Sequence, residues 1–429
     1  MTKLNEELRM YRAAKSAKLG FSQWHQIPVW GDLIGHVGGV NEYGYPKSVP
    51  FGSMKGKKLR PTGKPVEVLT DWFHQGGWEI DIPLLLPMVK KPIVGDDQAK
   101  GNEEDRRWIY NKAYITQVRK PAKVTDGAMG ELAIDESYLK QIWSNLKTEF
   151  EHYNQRLQAY SPYDAMYRGF DDQLIRSREL ASCVQKSHPN FFVEGYGRVT
   201  FNSNNDTYER AIAAALANLG TEDKFTMKTL RKAQMASSEL MIVPTTAGPY
   251  PIKGVAIIND RQMAQLAEDP LFEKVHIALI TKDGKESPFF TGAYEAHLVE
   301  GSLVLVDINN PGVWQSGDTG YDSTRGILNY GNVNPLENPI HASDVKLAIY
   351  MGASAILCGT TKKLSFKNET DDYENVKGEA SVTVVGYNRA DRFDADKFLT
   401  TGEAVTNSSS LVIATYTPQN ILWSNAVSS

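Results

Sequence analysis

The chain has 429 residues, 41% hydrophobic and 23% charged, an ordinary globular balance with room for two or three domain-sized units. Its 47 Lys and Arg against 51 Asp and Glu leave a formal net charge of −4, so the total charge gives no signal for nucleic acid or for a membrane surface. Two cysteines, Cys183 and Cys358, make no metal-ligand spacing and read as reduced thiols; no apolar run has bilayer-spanning length, and the N-terminus lacks the apolar segment of a signal peptide.

In chain order, Thr2 to Leu19 reads as a short helix, with Leu4, Leu8 and Tyr11 three or four apart. From Gly20 to Pro65 recurrent glycine and proline forbid long regular elements. That stretch still carries Phe21, Trp24, Trp30, Tyr43, Tyr45 and Phe51, which want burial. Such an arm is expected to pack across a sister subunit, with Trp24 and Trp30 as contact candidates; the plainer alternative is packing on its own domain. Within it Lys47, Lys55, Lys57, Lys58, Arg60 and Lys64 follow one another with no acid between them. Lys55, Lys57, Lys58 and Arg60 are therefore candidates for an anionic contact, either DNA or a neighbour's acidic tip; the plainer alternative is a solvated loop.

Next come two β-favouring runs around a polar insert. Trp78, Ile80, Ile82, Leu84 and Leu86 alternate on one face, and Trp108 to Val118 is rich in aromatic and branched residues. They predict a long antiparallel hairpin with an open tip, Pro83 suiting an edge strand. The insert contains Gly95-Asp96 and Gly101-Asn102-Glu103-Glu104, and a tight turn needs no such length.

Beyond the hairpin, Tyr138, Ile142, Leu146, Phe150, Tyr153 and Leu157 form one stripe, predicting a helix over 135–160 about 39 Å long. Tyr163 to Val184 continues amphipathic after the Ser161-Pro162 break. Two further helices are expected over Tyr208–Leu219 and Thr226–Ala236, capped by Asp206 and Thr226. Lys253 to Ile258 reads as a buried strand feeding a helix that Asp260 caps. Leu298 to Ile308 reads as one strand, and Ser343-Asp344 as the start of a helix through Ala348, Met351 and Ala355. Val376 to Tyr387 and Leu411 to Thr417 are the last strands, with Val382, Val384 and Val412 inward.

The motifs that carry chemistry are missing. The eight histidines include no HExxH, and neither a GxSxG elbow nor a GxxxxGK[ST] loop occurs. The acids of the insert lack EF-hand spacing. No catalytic, cofactor-binding or metal-binding residue is nominated, and no cofactor is expected.

The insert, with the elements that follow it in order, resembles the extended loop of tailed-phage major capsid proteins, specifically the N-4-like branch of the HK-97 lineage. Ala99-Lys100 departs from that branch, where a leucine and an acid are usual. The resemblance runs from about Gly63 to Asp391 and is diffuse after the hairpin. It implies an α+β HK-97-like fold divided into an N-terminal arm (1–65), an extended hairpin loop (66–125), a peripheral domain with a long spine helix (126–206), an axial domain (207–372) and a return to the peripheral domain with a C-terminal tail (373–429). It also implies a non-enzymatic protein of the virion capsid, assembled in the host bacterial cytoplasm as pentamers and hexamers around double-stranded DNA. Portal, scaffolding or decoration proteins would be further partners, with no membrane. Gly95, Asp96, Gly101, Asn102, Glu103 and Glu104 join Trp24 and Trp30 as candidates for contacts between subunits. On this reading, removing residues 1–64 leaves a folded body that no longer closes shells. The alternatives are an encapsulin-like compartment of the same fold and, from a different class, a polysaccharide-active enzyme, for which no carboxylate pair is nominated.

Overall fold

The computed structural model of the chain describes residues 30–36, 63–69, 79–85, 108–125, 162–163, 165–167, 191–199, 212, 215–216, 218–240, 242–247, 250–274, 296–307, 310, 312, 321–322, 327–328, 344–371, 376–389, 391–393 and 406–418. Its first elements are α1 (Trp30–Leu33), β1 (Ile34–His36), β2 (Val66–Leu69), β3 (Glu79–Leu85), β4 (Trp108–Tyr114), β5 (Thr116–Thr125), β6 (Phe191–Val193) and β7 (Gly197–Arg198). There follow α2 (Met227–Glu239), β8 (Thr245–Ala247), β9 (Tyr250–Ile252), β10 (Gly254–Ile258), α3 (Asp260–Ala267), β11 (Ala296–Val299) and β12 (Ser302–Val306). The last are β13 (Tyr321–Asp322), β14 (Ile327–Leu328), β15 (Val345–Met351), β16 (Ile356–Asp371), β17 (Val376–Arg389), β18 (Asp391–Phe393), β19 (Thr406–Ser408) and β20 (Ser410–Tyr416).

Seven strands form one mixed sheet in the order β11-β12-β10-β15-β20-β6-β7. Its strands β12, β10, β15 and β20 are buried on both sides, so consecutive residues feed different cores. Val255, Ile257, Leu303, Leu305, Leu347, Ile349, Val412 and Ala414 enter one cluster. Ala256, Ile258, Val304, Val306, Ala348, Tyr350, Leu411 and Ile413 enter the other. On the second side lie Leu230, Ala233 and Ala236 of α2 with Met263 and Leu266 of α3. On the first side lie Trp30, Tyr163, Met166 and Tyr167 together with Ile212, Ala215 and Leu216. Burying one such side chain contributes about 1.5–3 kcal/mol, which makes this sheet the main store of stability.

The helices on the second side are fixed by local chemistry. Thr226 stands at the N-cap of α2, as its position before the apolar run predicts, and its N–H donates to Thr229 Oγ1 at 3.2 Å. For α3 the expected cap moves by one residue. Asn259 Oδ1 accepts from Gln262 N at 2.8 Å, and Gln262 Oε1 accepts from Asn259 N at 3.2 Å. Asp260 is instead the acid of the first turn, where the helix dipole favours it. α3 is then bonded to the sheet: Gln262 Nε2 donates to Thr415 Oγ1 at 2.9 Å and Gln265 Nε2 to Tyr416 O at 2.9 Å.

Two further expectations are corrected. Residues 345–351 are a strand rather than a helix, buried along its whole length between β10 and β20. A short apolar run buried on two sides carries no period that separates helix from strand. The single strand expected over 298–308 is a hairpin, β11 and β12, turned at Glu300 (φ 49°) and Gly301 (φ 82°). Positive φ at both positions suits the tight turn joining these strands. Val382 and Val412 are buried as expected, whereas Val384 is half-buried.

The five-stranded sheet runs β1-β2-β16-β17-β5. Val66, Val68, Ile356, Cys358 and Val385 join it to the first core of the larger sheet. The predicted helix over 135–160 lies outside the described residues.

Candidate assembly interfaces

The two arms of the predicted hairpin pair, the second ending at Tyr114 rather than Val118. β3 and β4 pair antiparallel from Glu79 opposite Tyr114 to Leu85 opposite Trp108, and form a two-stranded sheet of their own. Among the described residues both strands are therefore edges, and Pro83, opposite Tyr110, has a place there without an amide to donate. Its base is rooted: Ile115 is buried at the junction, and the chain continues into β5, paired with β17 from Thr116 to Thr125. On either side of the hairpin, β2 and β5 belong to the five-stranded sheet. The tip, with Gly95, Asp96, Gly101, Asn102, Glu103 and Glu104, lies outside the described residues.

The arm's aromatics divide. Trp24 lies outside the described residues, and so do Lys55, Lys57, Lys58 and Arg60. Trp30 is 2% exposed and meets Tyr163 edge-on, with ring centroids 5.0 Å apart and planes at 72°. Tyr163 stacks on Tyr167 at 6.2 Å. The phenols are anchored in turn: Tyr163 donates to Asp307 Oδ2 at 2.5 Å and Tyr167 to Asn310 Oδ1 at 2.8 Å. Gly312 N donates to the same Asn310 oxygen at 3.0 Å, and a Cβ at Gly312 would stand 2.5 Å from Leu347 O. The indole of Trp30 is thus buried within its own subunit, leaving almost none of it for a neighbour. At Trp30 this burial accords with the alternative of packing on its own domain. The aromatic count of the arm does not reveal this, because Tyr163, the partner of Trp30, is remote in sequence.

Charged groups that sequence inspection passes over lie on β5 and β16. Arg119 stands opposite Val382, itself opposite Ser365; two residues on, Pro121 stands opposite Ala380, itself opposite Lys367. Period-two alternation sets exposed Arg119 and Lys367 on one face of this sheet, with Arg119 Nη2 donating to Gln117 Oε1 at 2.9 Å. An exposed proline and two exposed cations on an outer strand also discourage unplanned strand pairing.

α2 is tied to turns on either side of the central strands. Arg231 Nε donates to Glu300 Oε1 at 3.0 Å and Oε2 at 2.9 Å, and Arg231 Nη2 to Oε1 at 2.5 Å. Lys232 pairs with Glu194 in the β6–β7 turn. The Arg231 hydrogen bonds hold the Glu300 carboxyl below the usual carboxylate range, against the opposing effect of burial.

Burial pushes the Cys358 thiol up to about 12, and Tyr387 bonds to it. A thiol of that kind is a core group, not a nucleophile. Among the described residues no cluster of His, Cys, Asp and Glu is placed to hold a metal, and no helix is long and apolar enough to cross a membrane.

A family model described as phage capsid protein matches residues 59–419. No curated protein matches the chain in sequence. Among solved structures, the capsid of Ralstonia phage GP4 aligns with a TM-score of 0.54 at 15% identity, covering 87% of this chain and 98% of that one. The cyanophage Pam1 capsid aligns at 0.54 and 14% identity, covering 82% and 89% respectively. The head of Helicobacter pylori bacteriophage KHP40 aligns at 0.53 and 11% identity, covering 92% of each chain. At these identities the likeness is one of fold.

Proposed function

Since this chain belongs to the phage capsid protein family, as a major capsid protein whose copies form the head shell, we propose that it builds an icosahedral shell of pentamers and hexamers around double-stranded DNA. The family is structural and its members are not enzymes, which removes the polysaccharide-active alternative. The observation that carries the finer reading is the hairpin β3–β4, a sheet separate from both large sheets whose β4 leads into β5 and touches β17. A two-stranded ribbon has no core of its own and is stable where something covers it. In a shell that cover is a neighbouring copy.

The tip motif, Gly95-Asp96 with Gly101-Asn102-Glu103-Glu104, supports placement in the N-4-like branch of the HK-97 lineage. On that placement the subunit divides into arm, extended loop, peripheral domain with spine helix, axial domain and C-terminal return, at the boundaries given above. Glu103 and Glu104 form ion pairs with a neighbour, and Lys55, Lys57, Lys58 and Arg60 face an anionic partner. Portal, scaffolding and decoration proteins are its other partners during assembly in the bacterial cytoplasm. Rotational symmetry within each capsomer makes the contacts head-to-tail, and repetition of weak contacts closes the shell.

Microscopy of the purified chain tests the reading, with closed shells or rings expected and a uniform monomer at high concentration refuting it. Replacing Lys90 to Asp105 by Asn-Gly tests the tip. Folded subunits that no longer close shells are expected, and shells in parental yield would reduce the tip to a solvated loop.

A further inference from the structure

We infer that Trp30–His36 is a fixed anchor of its own subunit, in the assembled shell as in the free chain. The segment is built into both sheets at once. Trp30 and Leu33 are each 2% exposed, and half-buried Ile34 packs on the same core as Tyr163, Tyr167, Val66 and Val68. β1 pairs parallel with β2, Ile34 opposite Val66 and His36 opposite Val68. The strand that receives it is itself pinned. Ser354 N donates to Lys64 O at 2.8 Å, Ile356 N to Pro65 O at 3.0 Å, and Thr245 Oγ1 to Gly63 O at 2.7 Å.

Chain length alone does not fix the segment at home. Residues 37–62 join it to β2, and an extended stretch of that length reaches on the order of 85 Å, enough to reach another copy. What holds it is the cost of an empty socket. Without it the Tyr163 ring loses its edge contact and β2 becomes an open sheet edge, the surface that invites aggregation. A subunit that folds before meeting its neighbours fills this socket from its own chain, because intramolecular closure needs no second molecule. The anchor fixes the chain on the N-terminal side of residues 37–62, which carry Lys47, Lys55, Lys57, Lys58 and Arg60, as β2 does on the C-terminal side. A cut after residue 64 removes Trp30 and Leu33 from the core along with the arm, so on this inference the truncated body loses stability as well as assembly.

A disulfide decides between home and exchange. Ile34→Cys with Val66→Cys places two thiols on paired strand positions, within ordinary bridging distance. Full-length chains carrying both are assembled, oxidised and run without reductant, with the parent and each single variant as controls for Cys183 and Cys358. The expected result is a band of single-chain mass whose cross-linked peptides come from one chain. Disulfide-linked dimers and ladders, or thiols that stay free, overturn the anchor. Where the double variant does not fold, chains starting at residue 30 and at residue 37 are compared. The first is expected to keep the parental Tm and the second to lose several degrees or its solubility; equal Tm values overturn the inference.

Discussion

Trp30→Ala separates a core tryptophan from an interface tryptophan. An aromatic side chain of this size buries about 150–250 Å², worth about 4–6 kcal/mol at about 25 cal/mol per Å². Trp30 reaches nearly that limit, being 2% exposed and in edge contact with Tyr163. Against this, its Nε1–H is buried with no acceptor among the described residues, a defect that costs about 1–3 kcal/mol and disappears on truncation. The net expected loss is about 3 kcal/mol, a large part of a total stability of about 5–15 kcal/mol. Trp30→Phe keeps an aromatic edge and discards the orphan N–H, so its loss stays below about 1.5 kcal/mol. Urea unfolding followed by far-UV circular dichroism, below the concentration at which shells form, measures both. If Trp30→Ala unfolds within about 0.5 kcal/mol of the parent while assembly fails, the indole serves a neighbour and the core argument is wrong.

The remaining predictions follow from single contacts. Gln265→Leu strips Phe225 N, Tyr416 O and Thr417 Oγ1 of a partner; a fall of about 2–4 kcal/mol in urea unfolding is expected, and a neutral result would mean water replaces the amide. Glu300 has its folded pKa depressed, so its pairing with Arg231 is present above the unfolded carboxylate range and lost as pH falls through the folded value. The acid limb of the Tm profile should flatten in Glu300→Gln and in high salt, and an unchanged limb refutes the pairing as a source of stability. Cys358 is expected to resist thiol reagents at pH 8 until the chain unfolds, since burial keeps it protonated to about 12; rapid labelling of Cys358 in the native state, located by peptide mass, would show the site is open.

What was legible in the sequence was local. The hairpin arms alternate in the open, and Thr226 announces α2 because a cap acts within one turn. The strand before α3 was readable too, the helix starting one residue early because Asn259 and Asp260 are both good caps. Residues 345–351 misled because burial on both faces erases periodicity, and Ala348 and Met351 then mimic helical spacing. Trp30 misled for the opposite reason. Glycine and proline around it argue against long regular elements locally, and nothing local reveals that Tyr163, held by Asp307, meets its ring. Family membership was readable from the order of elements, which survives where identity to solved relatives has fallen to 15%.

The division of labour between body and attachments follows from the size of the contacts. An exposed ion pair, such as that proposed for Glu103 or Glu104, is worth about 0.2–1 kcal/mol, too little to join two subunits alone. A shell gains from many such contacts only if each subunit presents all of them in the right geometry together, since every degree of freedom in the body lowers the effective concentration of the next contact. The sheet buried on both faces, the glutamines binding α3 to β20 and the ten-residue ladder from β5 to β17 remove that freedom. The hairpin can then be thin, because its direction is set at Ile115 and along β5. Loosening that root with a glycine at Ile115 would leave every tip contact chemically intact and still weaken the lattice, since the contacts would no longer form as a set.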